Sequence, residues 1–267
     1  MTGLTPTHDE IERIQDRMAT NRFDDIRAVS IRYLTQPSIV DRLLPPGLEP
    51  TDEPLVEAEV VTVGRSNCVG AFAGGGLYVR AQHDGEVGNY CLTMPMSTDE
   101  AVRWGRELLG EPKRQASVEL ERNGDEISGH ITRHGEPLLG IEATMESRRG
   151  SSTGSQSVFH YKHLPAVTGR GFQFDPVLVR VRFASELDRV ETGTGSIRLG
   201  RTPHAPLDRI EVANVRGASY YEGRLTSSQE ELTTVDPDEF LPYALGGPGT
   251  YDWLALDNLS ESSSSRP

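Results

Sequence analysis

Apolar positions recur along the chain with two spacings. Between residues 7 and 20, acids and bases alternate around Ile11, Ile14 and Met18, which predicts an amphipathic helix lying on the outside. Over residues 26–34, and again over 55–63, the runs are short and β-branched, with Pro45, Pro46 and Gly47 breaking the chain between them. In the second run Glu57, Glu59, Val61 and Val63 share one face and Val56, Ala58, Val60 and Thr62 the other, so a carboxylate stands among valines on at least one side. Glycines 74–76 precede a further strand at 77–82. With neither a helix nor a lysine close behind, they read as a hairpin or bulge rather than a phosphate cradle.

Residues 97–116, STDEAVRWGRELLGEPKRQA, form the centre of the pattern. Ser97 with Glu100 reads as a capping box, Ala101, Trp104 and Leu108 supply a helical stripe, and Gly110 then Pro112 stop the helix. Beyond it the chain is almost all strand, at 116–121, 127–132, 138–145, 177–184, 196–199, 210–215 and 218–226. A short helix follows at 236–243, then a serine-rich tail. No internal repeat is visible. Many antiparallel strands with a few helices predict a mainly β (α+β) fold, a barrel or sandwich. The domain reading is a peripheral helix at 1–22, one domain at 23–256 and a disordered tail at 257–267.

Composition narrows the function classes. A chain of 267 residues with 36% hydrophobic residues can bury one substantial core. The net charge of -13 argues against a nucleic-acid partner, since a phosphate backbone needs a basic face. Acid-rich, lysine-poor chains also suit strong brine, where salt screens self-repulsion. No apolar run is long enough for a bilayer and no secretory leader opens the chain, so a cytoplasmic protein without a membrane partner is expected. Cys68 and Cys91 are too few for a disulfide framework and too far apart for a metal knuckle. His130 with His134, and His160 with His163, lack companions for a metal site, so neither metal nor cofactor is expected. Ser227 and Ser228 have no elbow glycine pattern. Asn258-Leu259-Ser260 matches a glycosylation acceptor that means nothing without a leader.

The chemistry concentrates on one amine. The chain has two lysines, Lys113 and Lys162, against 25 arginines. A lysine retained where arginine fills nearly every other cationic position suggests chemistry that requires losing a proton and attacking a carbonyl. In water only about one lysine in two thousand is unprotonated at neutral pH, so a reactive lysine must be hidden from water or set beside another cation. The alternative reading of Lys113 is a surface residue after a helix. Lys162, in HYKH, has polar neighbours and is the poorer nucleophile.

The run GRELLGEPKRQA, preceded by PPGLEPTDEPLVEAEV at 45–60, resembles the acetoacetate decarboxylase superfamily, whose members show a GRE, a short helix end and a Pro-Lys pair. The resemblance extends over about residues 31–116, and more loosely over 161–226. It implies an antiparallel β-barrel with a few peripheral helices, large homo-oligomers, and a lysine that forms a Schiff base with a β-keto acid, here Lys113. It also implies catalytic roles for Glu59, as a pocket glutamate, and Arg114, as the adjacent cation, with Arg27 near an arginine that receives the substrate carboxylate. Arg22 and Arg32 compete with Arg27, and Glu59 reads equally as an outward strand residue.

Two departures from that family stand out. Gly74 occupies the position of a second pocket glutamate. Glu111 replaces an aromatic residue two before the lysine, and an extended segment would set Glu111 and Lys113 on one face, where an ionised carboxylate opposes activation. Glu111 is then either protonated or facing solvent, or it re-supplies the lost carboxylate and joins the substrate site. The functional expectation is a cofactor-independent carbon–carbon lyase acting on a small oxo acid through a lysine Schiff base. A Schiff-base aldolase or dehydratase, and a silent barrel that binds a small metabolite, are the alternatives.

Overall fold

In the computed structural model residues 4–202 and 205–246 are described; the serine-rich tail and its Asn258 motif lie outside them. The chain runs α1 (His8–Ala19), β1 (Asn21–Leu34), α2 (Pro37–Leu43), β2 (Glu49–Pro50), β3 (Leu55–Ser66), β4 (Phe72–His83), β5 (Glu86–Met96) and α3 (Asp99–Arg103), which passes into a π-helical segment (Trp104–Leu109). There follow β6 (Lys113–Gln115), β7 (Ser117–Asn123), β8 (Glu126–Arg133), β9 (Glu136–Lys162), β10 (Val177–Leu199), β11 (Arg201–Thr202), β12 (Ala205–Pro206), β13 (Asn214–Thr234) and α4 (Pro237–Gly246).

The main sheet runs β6-β5-β4-β3-β1-β13-β10-β9-β8-β7. It curls until β9 meets β5, pairing Asn89 with Val158 and Tyr90 with Phe159. The circuit β1-β3-β4-β5-β9-β10-β13 is thereby closed into a barrel, which leaves those strands no free edge. The closing seam is parallel and β6 adds to β5 in parallel, so the barrel is mixed rather than wholly antiparallel. No helix of the described residues is long and apolar enough to cross a membrane.

Each strand of the barrel separates two environments. On β3, Val56, Ala58 and Val60 join the main core with Leu77, Val79 and Ile131, while Glu57, Glu59, Val61 and Val63 line a cavity, the division read from the alternation. Fully burying an aliphatic side chain of the first set stabilises the fold by roughly 1.5–3 kcal/mol. The outer helix α1 buries none of its residues and is fixed at its start by a capping box between Thr7 and Glu10.

Several elements differ from the sequence reading. Glycines 74–76 lie inside β4, not in a turn; a Cβ on Gly74 would stand 2.5 Å from Met96 Sδ, so the strand packs where no side chain fits. Thr98, not Ser97, caps α3, accepting from Ala101 N at 3.3 Å, and Ser97 Oγ instead accepts from Ala73 N at 2.8 Å. The runs at 177–184 and 196–199 are merged in β10, β13 joins 214–215 to 218–226, and β9 carries the run at 138–145 on to Lys162, because each stays hydrogen-bonded across its polar residues to long neighbours. Residues 210–213 precede β13 instead of forming a strand, because Leu207–Arg209 coils into a 3₁₀ turn.

Candidate active site

The barrel lines a cavity of about 110 Å³ that opens to solvent. Phe72, Met94, Met96, Val158, Val181 and Phe183 give it apolar walls, and Lys113 reaches it from β6. The approach to Lys113 is unusual. α3 lasts barely more than a turn before its hydrogen bonds lengthen into the π segment, which turns Trp104 and Leu109 toward the cavity. Gly110 then takes a left-handed conformation (φ 73°) and ends the helix, as its position predicted. Gly105 carries no side chain because a Cβ there would run into Glu111 Oε2 and Lys113 Cδ.

Lys113 Nζ lies 2.7 Å from Glu111 Oε2, with the lysine side chain 10% exposed and the glutamate 4%. Burial alone would raise the Glu111 carboxyl, but the Lys113 ammonium, helped by His160, outweighs it and holds the group below its usual range. Glu111 is thus buried and ionised, neither protonated nor facing solvent: the sequence reading of a shared face holds, and both escapes from it fail. His160 Nε2 stands 3.8 Å from Glu111 Oε1. Burial, opposed by Glu111 and reinforced by Lys113, pushes this histidine down to about 4, so it is neutral near pH 7.

Glu59 lines the same cavity in a different setting. Burial pushes it up to about 7, against a hydrogen bond of 2.5 Å donated by Tyr221 Oη. Tyr221 and Tyr78 both line the cavity, and burial raises both phenols well above their ordinary value. Glu57, one rung along β3, is paired with Arg32 at 3.2 Å. Besides Glu57, paired with Arg32, the cavity therefore holds one amine, one carboxylate that keeps its charge and one that gains or loses a proton near neutrality.

The structure brings together Lys113, Glu111 and Glu59 but not the two arginines. Arg114 pairs with Pro95 on β5, is buried, and points away from the cavity that Lys113 lines. Arg27 is exposed and lines an outer cleft with Arg122, Arg189 and Tyr220. The reason is a bulge: β1 slips register against β13 between Phe23 and Ile26, with Asp25 at φ 56°, so Phe23 and Ile26 both face the cavity and Arg27 turns out. Arg22 is engaged with Asp24 at 3.1 Å. The position of Gly74 has no room for a carboxylate while Met96 fills it.

Tyr221, Tyr78 and His160 escaped the sequence reading. Tyr221 sits between Tyr220 and Glu222 on β13 with no periodic mark, whereas His160, in the polar run HYKH, is fully buried where β9 closes the barrel. Cys91 is buried and Cys68 half-buried, both as free thiols.

Comparison with known proteins follows this geometry. The model of the family "Acetoacetate decarboxylase (ADC)" matches residues 5–236. Acetoacetate decarboxylase 1 of Bradyrhizobium diazoefficiens is 31% identical over 217 residues, covering 77% of this chain and 83% of that one. The acetoacetate decarboxylase of Burkholderia cenocepacia strain J2315 is 34% identical over 114 residues, 43% of this chain and 46% of that protein. Among solved structures, acetoacetate decarboxylase from Legionella pneumophila superposes with a TM-score of 0.72 at 21% identity, covering 80% of this chain and 87% of its own. The enduracididine biosynthesis enzyme MppR complexed with pyruvate superposes with a TM-score of 0.68 at 15% identity, covering 81% and 91%. These two structures share the fold.

Proposed function

The chain belongs to the acetoacetate decarboxylase family, and from that premise we propose that it is a lysine Schiff-base enzyme in which Lys113 condenses with a small carbonyl compound. The observation that carries this reading is the amine of Lys113, 10% exposed in an apolar-walled cavity and 2.7 Å from a carboxylate. Glu111 is the immediate acceptor for the ammonium proton. In a site emptied of water by substrate, the ion pair loses its solvation and a proton shift across the 2.7 Å contact leaves a free amine beside a neutral acid. The amine adds to the carbonyl, Glu111 returns the proton to the carbinolamine hydroxyl, water leaves, and a protonated imine remains.

That imine is the electron sink for breaking an adjacent bond. Glu59, poised near neutrality and steadied by Tyr221, is the group suited to take or give the proton at that carbon. Cleavage of a carbon–carbon bond and its reverse, aldol addition followed by dehydration, both fit. One observation favours the second: among the described residues that line the cavity there is no arginine to hold a leaving carboxylate. Incubation with ketones, aldehydes and keto acids, reduction with borohydride and peptide mass mapping test the reading. An adduct on the Lys113 peptide supports it, and no adduct with any of them favours a binding protein.

A further inference from the structure

The cavity's charges are unevenly matched. Its described lining contains three carboxylates, Glu57, Glu59 and Glu111, and a single cation, Lys113. Glu57 is offset by Arg32 from the exposed end of the barrel, and Glu111 by Lys113 itself. Glu59 forms no ion pair among the described residues; its partner is the Tyr221 phenol. The arginines near the site are committed elsewhere, Arg27 and Arg114 by the direction they face and Arg106 to the carbonyl of Lys113 at 3.1 Å. The remaining polar groups of the wall are neutral, among them Asn89, Gln156 and the Trp104 indole, whose N–H has no partner.

We propose that the natural substrate is a carbonyl compound without a carboxylate, an uncharged or cationic ketone or aldehyde. This inference rests on the imine reading of Lys113. A carboxylate inside the barrel would face Glu59 and find no cation to pair with, and a buried unpaired charge is costly. Condensation does not release one, since the imine keeps the positive charge of the ammonium and Glu111 stays beside it. An amide, hydroxyl or ester oxygen suffers no such repulsion and suits the neutral donors. An ammonium group gains from Glu59.

The test compares small methyl ketones that differ in charge, the isosteric pair acetoacetamide and acetoacetate together with the cationic aminoacetone. Each is titrated against the full chain with cyanoborohydride, and the concentration giving half-maximal adduct on the Lys113 peptide is measured. Acetoacetamide and aminoacetone are expected to reach it at concentrations about tenfold or more below acetoacetate, because like charges in a partly dry site are strongly discriminated against. The variant Glu59→Gln, which keeps the side-chain shape, is expected to shrink that ratio several-fold. Acetoacetate trapping as readily as acetoacetamide overturns the charge inference while leaving the Lys113 chemistry standing. No adduct with any of the three overturns the imine reading beneath it.

Discussion

Glu111 and Glu59 line one cavity, and burial works on both in the same direction, yet their proton affinities move apart. Glu111 stays ionised because an ammonium lies 2.7 Å away, an attraction large enough to overcome desolvation. Glu59, whose partner is a phenol, has only a hydrogen bond to set against the same cost, and it is pushed up to about 7. The charge of the neighbour, not the depth of burial, decides which carboxylate stays ionised throughout and which exchanges its proton near neutral pH. That division gives one site a fixed charge to steady an amine and a group that exchanges protons near neutral pH.

Breaking the charged end has the largest expected effect. Lys113→Met abolishes adduct formation and lowers turnover by at least about 10³-fold, measured by trapping and steady-state kinetics. It also strands a buried carboxylate, so stability by denaturant titration falls by roughly 3–5 kcal/mol and is largely restored when Glu111→Gln is added. Glu111→Gln alone keeps the amine but removes its proton acceptor, and single-turnover imine formation slows about 10²-fold. A Glu111→Gln protein condensing as fast as the parent would exclude the proton-transfer role.

The neutral end is probed by pH. Glu59 binds its proton more tightly folded than unfolded, so it contributes stability at pH below its unfolded value that is lost as pH rises toward and past about 7. The melting temperature of Glu59→Gln should therefore fall less than that of the parent between pH 5 and pH 8. A smaller effect lies on the acid side. His160 is pushed down to about 4, so its contribution is present above pH 6.5 and lost as pH falls toward 4; His160→Phe should flatten that limb in acid denaturation. Parallel acid curves for parent and variant would remove His160 from the balance.

How much of this was legible in the chain depends on how local the cause is. The faces of β3 follow from a period of two that every strand obeys, and the end of the helix before Lys113 follows from Gly110 and Pro112. Arg27, assigned by resemblance alone, faces outward because one extra residue at Asp24-Asp25 reverses which side chains of β1 point inward, and a bulge leaves no periodic mark. The π segment likewise hides inside a sequence that reads as ordinary helix.

The amino-acid sequence by itself determined the strand-rich class, the two-faced strand that carries Glu59, and the singling out of Lys113, because residue type and spacing act over a few residues. Only the tertiary structure decided that Glu111 is buried and charged, that His160 lies against it, and that no arginine of the described residues lines the cavity. The first two depend on β9 closing onto β5, a contact between residues 69 positions apart, as Asn89 with Val158, and the third on the bulge in β1 that turns Arg27 outward. Solvent exclusion belongs to the closed barrel as a whole, and with it the balance between desolvation and charge that sets what each group in the cavity can do.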